Sequence, residues 1–148
     1  MEVLDRVSAI LKQKGDRVWS VAPNATVYEA LNVMAGKEVG ALLVVDGNQP
    51  VGLFSERDYA RKVILKGRSS KETSVSEIMT SPPITIPSDC SVKEAMQIMT
   101  EHRVRHLPVL ANDGSVLGML SIGDLVKWII TSQEETIEQL HSYISGRS

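Results

Sequence analysis

Apolar residues recur at helical spacing in two stretches of the chain. Val27, Ala30, Leu31 and Met34 stand at i, i+3, i+4 and i+7, and Val92, Ala95, Met96 and Met99 repeat that spacing. The period predicts an apolar face on each of two amphipathic helices. Thr26 and Ser91 sit at the N-cap positions, with Glu29 and Glu94 three residues on, the pattern of a capping box. Before each helix a short strand is expected to run into a proline turn, Val18 to Val21 before Pro23 and Ile84 to Ile86 before Pro87. After each helix an apolar strand (41–45 or 106–110) leads through a glycine-containing turn to a second strand (51–54 or 116–120), a hairpin signal. A last helix is expected from about Glu56 to Leu65 and again from about Ile122 to Thr131.

The two halves are copies. Residues 26–34 fall on 91–99 at a separation of 65 (Val27 to Val92), and the match continues through Val39/Val104, Leu42/Leu107 and Val44/Val109. The turn 46–50 is matched by 111–116, one residue longer, and from there Gly52 falls on Gly118. The slip lies in a turn, where an insertion costs least, which favours true duplication. The fold class expected is α+β, with two βαββα repeats. Each repeat is too small to bury an adequate core alone, so the two must pack together. The polar segment Lys66-Gly67-Arg68-Ser69-Ser70-Lys71 can link them. Val3, Val7, Ile10 and Leu11 predict an amphipathic helix before the repeats, and Ile137, Leu140, Tyr143 and Ile144 one after them. These end helices are expected to cap the pair, with self-association as the other role open to them. The organisation expected is an N-terminal helix (1–16), repeats at 17–66 and 76–131 around a linker (67–75), and a C-terminal helix (132–148).

Composition narrows the function classes. Of 148 residues, 43% are hydrophobic and 23% charged, a globular balance, and aromatics at 4% leave the core to aliphatic side chains. A net charge of −2 makes no case for bulk nucleic-acid binding. The local basic stretch Arg57, Arg61, Lys62, Lys66, Arg68 and Lys71 is interleaved with Glu56, Asp58 and Glu72, and reads as a solvated helix face and linker. A weak nucleic-acid patch is the alternative. Cys90 alone makes neither a disulfide framework nor a cysteine zinc site. The first residues lack the basic region and apolar core of a signal peptide. The longest apolar run, 39–45, is far short of the ~20 residues that span a bilayer. A cytoplasmic or organelle-matrix setting is expected, with no membrane partner. His102 and His106 are four apart, but a helix end is expected between them and no third ligand suggests a metal site. Neither a nucleophile elbow nor a Rossmann or P-loop pattern occurs, so no enzyme activity and no catalytic cofactor are expected.

One repeated motif carries chemistry: Gly52-x-x-Ser55-x-x-Asp58 and Gly118-x-x-Ser121-x-x-Asp124, each where a strand meets a helix. The glycine permits close approach of another backbone or a ligand. The serine stands at a helix N-terminus, which favours an anion. The aspartate, acceptor-only when ionised, can take both hydroxyls of a ribose. Ser-x-x-Asp is also an ordinary capping arrangement, and duplication would copy a cap as readily as a site.

The repeat as a whole resembles the CBS domain, the module named after cystathionine β-synthase. The matching stretches are 95–99 (Ala-Met-Gln-Ile-Met), 103–109 (Arg-Val-Arg-His-Leu-Pro-Val) and 118–124 (Gly-Met-Leu-Ser-Ile-Gly-Asp), with weaker equivalents in the first copy. The chain is similar to small stand-alone CBS pairs. The resemblance implies a pseudo-twofold pair with adenosyl ligands (AMP, ATP or NAD among them) in clefts between the repeats, a regulatory role, a homodimer formed through helices, and a regulated protein partner. It implies that Asp124 and Ser121 serve one cleft, with Ser20, Val21, Val39, Gly40 and Ala41, that Asp58 and Ser55 serve the other, with Ile84, Thr85 and Val104, and that Met119 also belongs to the nucleotide-binding set. Arg105 and His106 are expected to serve phosphates, and Arg57 to add charge at the other cleft. A structural interaction module with vestigial sites is the competing reading.

Overall fold

The computed structural model describes residues 5–15 and 17–144, with side chains as far as residue 134. The elements are α1 (Val7–Lys14), β1 (Ser20–Val21), α2 (Val27–Lys37), β2 (Ala41–Asp46), β3 (Gln49–Ser55), α3 (Glu56–Tyr59), β4 (Ile86–Pro87), α4 (Val92–His102), β5 (His106–Leu110), β6 (Val116–Ser121) and α5 (Ile122–Ile144). A π-helical turn, Ala60–Ile64, continues α3, and a 3-10 turn, Val75–Glu77, lies between the repeats.

Each repeat forms its own three-stranded sheet, ordered β1-β2-β3 and β4-β5-β6. The first strand pairs parallel with the second, and the second antiparallel with the third. Registers match between copies: Val44 faces Gly52 as Val109 faces Gly118, and each ladder has a bulge directly after that pair. Thr26 and Ser91 hydroxyls accept the Glu29 and Glu94 amides at 3.0 Å each, the hydroxyl half of the expected capping box. Both helices end in left-handed residues that are not glycine, Glu38 (φ 56°) and Arg103 (φ 55°).

The unbroken apolar run of β2 has a structural reason. Leu42 and Val44 point into the core of the first repeat, while Ala41 and Leu43 join Leu53 and Met119 in a separate cluster where the two sheets meet. A strand buried on both faces has no polar side to show.

The segments that precede the repeats are exchanged. Val7 and Ile10 of α1 are buried in the core of the second repeat, and Val75 and Ile78 in the core of the first. The Val7 amide donates to the Cys90 carbonyl and the Val92 amide to Asp5; correspondingly, Val75 donates to Ala25 and Val27 to Thr73, all at 2.8 Å. Val7-Ser8-Ala9-Ile10-Leu11 and Val75-Ser76-Glu77-Ile78-Met79 are thus equivalent segments, each completing the other copy's core. The first end helix does cap, as expected. The linker does more than link, since Thr73 and Val75 are buried.

One expectation is corrected. The helices expected over 122–131 and in the C-terminal tail are a single helix, α5, because Thr131-Ser132-Gln133 contains no glycine or proline to stop it. Val3 and the side chains of Ile137, Leu140, Tyr143 and Ile144 lie outside the described residues.

Candidate functional site

The Gly-x-x-Ser-x-x-Asp motif forms a real cap in both copies. The Ser55 amide donates to Asp58 Oδ2 at 3.0 Å and the Asp58 amide to Ser55 Oγ at 3.3 Å. In the second copy the Ser121 amide donates to Asp124 Oδ2 at 2.8 Å and the Asp124 amide to Ser121 Oγ at 3.1 Å. The glycines accept close neighbours, but from the chain itself: Met79 and the Thr80 carbonyl over Gly52, and Leu11 over Gly118.

Capping leaves each carboxylate one oxygen to use elsewhere. Asp58 is 8% exposed, and its Oδ1 meets Thr80 Oγ1 at 3.3 Å and Lys62 Nζ at 3.1 Å. It opens on a cavity of about 340 Å³ between the repeats, within the ~300–1,000 Å³ of small-ligand sites. One wall comes from the first repeat, with Leu53, Ser55, Arg57, Arg61 and Lys62; the other comes from the second, with Ile84, His102, Arg103, Val104, Arg105 and His106. The π-helical turn follows α3 directly and carries Arg61 and Lys62 onto the wall. The left-handed Arg103 turns the chain at the rim, where Arg57 Nη1 donates to its carbonyl at 2.7 Å. Five cationic side chains (Arg57, Arg61, Lys62, Arg103 and Arg105) thus surround a cavity whose acidic members are Glu56 and Asp58.

A second cleft, of about 520 Å³, brings together Val39, Gly40, Ala41 and Ser121, with Met119 and His106 beside them. Ser20 and Val21 do not line it. They pair with Leu43 and Val44 in the sheet, and Val18 and Trp19 line the cleft instead, with Lys37 Nζ 4.3 Å from the Trp19 ring centre. Thr85 does not line the first cavity, where Ile84 stands. Asp124 does not line the second cleft: its carboxylate accepts from Lys14 Nζ at 2.6 Å and opens on the neighbouring cavity between α1 and α5. The division of cations also differs from expectation. Arg105 and Arg57 share the Asp58 cavity, since Arg57 reaches across to the Arg103 carbonyl, two residues before Arg105. His106, beside Gly40, lines both cavities.

Of the cavity residues, Thr80 and Leu53 had no signal in the motif. Arg61 and Lys62, read from the sequence as part of a basic stretch on a solvated helix face, line the cavity instead; their spacing of three and four from Asp58, one helical turn, is the signal that could have found them. The rest of that stretch goes elsewhere: Arg68 bridges Glu77 at 2.6 Å, and Lys71 lies 4.9 Å from the Tyr28 ring centre. Among the described residues no three His, Cys, Asp or Glu side chains gather as a metal site would require.

Burial, and next the Lys14 ammonium, hold the His106 imidazole below its ordinary value. Burial raises the Asp124 carboxyl, but hydrogen bonds from Lys14 and Ser121 and the Lys14 charge outweigh it and hold that carboxyl below the usual range.

The profile of the CBS domain matches residues 12–65 and 75–131. The chain belongs to the CBS domain family. It is 42% identical over 149 residues to the "CBS domain-containing protein CBSX3, mitochondrial" of Arabidopsis thaliana, covering 95% of this chain and 72% of that one. A second Arabidopsis thaliana protein, CBSCBSPB5, is 38% identical over 121 residues, but this CBS pair (81% of it covered) spans 22% of that longer chain. A solved structure of a signal-transduction candidate with CBS domains from Burkholderia ambifaria is 50% identical and superposes with a TM-score of 0.83, covering 86% of this chain and 96% of that one. CBS pairs of this kind are generally regulatory modules. Among the described residues, no helix is long and apolar enough to cross a membrane.

Proposed function

We propose that this CBS pair is a regulatory sensor that binds an adenine nucleotide in the Asp58 cavity. The observation that carries the reading is the pairing, in one inter-repeat cavity, of an acceptor-only carboxylate with Arg57, Arg61, Lys62, Arg103 and Arg105. Asp58 Oδ1 is the ribose acceptor, releasing Thr80 and Lys62 to the ligand's oxygens. The arginines take the phosphates, each charge-assisted contact contributing about 1.5–3 kcal/mol. The base lies against Val104, Leu53 and Ile84. Because both repeats supply walls, occupancy biases their relative packing, by no more than the ligand's differential affinity for the two packings.

Output passes through a homodimer. Ile64 and Ile130 occupy equivalent positions and are 55% and 49% exposed, with Leu65 and Val126 beside them. Four apolar residues on two helices in water suit a partner surface.

Calorimetry with AMP, ATP and NAD tests the site. Binding tighter than millimolar, lost in Asp58→Ala, is the expected result. No binding by any of them, with the fold intact, leaves the interaction module with vestigial sites.

A further inference from the structure

Asp58 and Asp124 hold equivalent positions and each pairs with a lysine, Lys62 on Asp58 Oδ1 at 3.1 Å and Lys14 on Asp124 Oδ2 at 2.6 Å, yet the two carboxylates stand differently to their clefts. In the first copy the Thr80 amide and carbonyl pair with Leu53, each at 2.9 Å, and the Thr80 hydroxyl touches Asp58. The carboxylate remains on the cavity wall. In the second copy one side chain makes both kinds of contact. Lys14 Nζ donates to the Met119 carbonyl at 2.8 Å and to Asp124 Oδ2 at 2.6 Å, and Met119 is the equivalent of Leu53. Lys14 lines both the second cleft and the adjoining α1–α5 cavity, whereas Asp124 lines only the latter. The Lys14 ammonium therefore stands between the second cleft and its carboxylate, whereas Lys62 shares the first cavity's wall with Asp58 and leaves that carboxylate open to it.

A second difference lies at the other end of the clefts. The Leu43 amide donates to the Trp19 carbonyl at 3.1 Å. The residue equivalent to Leu43 is Pro108, which has no N–H, so the Ile84 carbonyl receives no such bond. A backbone acceptor is thus left for a ligand's amino group at the Asp58 cavity and is used internally at the other cleft.

We infer that Lys14 closes the Asp124 cleft to nucleotide, so that the pair takes one nucleotide per chain, at Asp58, and that this residue sets the stoichiometry. The inference rests on the nucleotide reading above. It makes α1 a selector as well as part of the core.

Titration calorimetry with ATP, on wild type and two variants whose folding is checked by thermal melting, tests it. Wild type should bind one ATP per chain. Lys14→Thr, which removes the ammonium, should bind two, and adding Asp124→Ala should return it to one. Asp124→Ala alone should leave wild-type affinity within about twofold, well under 1 kcal/mol. Two ATP per wild-type chain, or one per folded Lys14→Thr chain, overturns the inference. If Lys14→Thr does not fold, Asp124→Ala decides: loss of wild-type binding overturns it. One site in Lys14→Thr/Asp58→Ala, with none in Asp58→Ala, supports both readings. No binding to wild type or Lys14→Thr overturns the nucleotide reading itself, and the selector role with it.

Discussion

Met79 Sδ lies 2.5 Å from the point where a Cβ on Gly52 would stand, and the Thr80 carbonyl oxygen lies 3.0 Å from it. At Gly118 the equivalent neighbour is Leu11 Cδ2 at 2.8 Å, with no backbone atom among the nearest. A flexible side chain can yield, but a paired backbone cannot. Gly52→Ala is therefore expected to destabilise by about 1–3 kcal/mol, the usual range for overpacking. Gly118→Ala should cost less. Denaturant midpoints compare the two, and an equal or larger loss at Gly118 would show that the leading segments are not held as described.

The arginines should act through phosphate and not through the base. Arg105→Ala is expected to weaken ATP binding about tenfold, ~1.4 kcal/mol, while leaving adenosine nearly unchanged. Calorimetry with both ligands checks this. An equal loss for adenosine would place Arg105 in folding or base recognition instead.

His106 gives a pH dependence with a definite sign. Its imidazole is held below the ordinary 6.5, so below about that pH the unfolded chain binds this proton before the native state does. Its contribution to stability is complete above that pH and is lost as pH falls through the lowered native value. A phosphate in the cavity favours imidazolium, so ATP should raise the titration midpoint of the His106 ring signal in NMR. A ligand-free midpoint at or above 6.5 would contradict the buried environment.

The exposed Ile64 and Ile130 should be covered in the dimer. Ile64→Glu with Ile130→Glu is expected to halve the mass seen by light scattering, with the melting temperature little changed, since neither side chain is buried in the single chain. A doubled mass that survives the pair would move the interface elsewhere.

The local fold was legible in sequence because it depends on near neighbours. Spacing at Val27, Ala30 and Met34 marks a helix face, and Thr26 and Ser91 cap whatever helix follows them. Even the run of α5 was written there, in the lack of any breaker at 131–133; reading the end of the repeat as the end of the helix obscured it. The equivalence of 7–11 and 75–79 was also present, but at a separation of 68 (Val7 to Val75) instead of 65, beyond the frame of the other matches.

The chain pattern alone therefore determined two copies, their strands and helices, their caps, and an aspartate at each strand–helix junction. Only the tertiary structure decided what each aspartate faces. Arg57 meets Arg103 across 46 residues, and Lys14 meets Asp124 across 110. Periodicity reports that a face is buried, not which distant segment buries it, and electrostatic contacts leave no period at all. Equal motifs in the two copies thus became unequal sites through the segments packed against them, Thr80 on one side and Lys14 on the other.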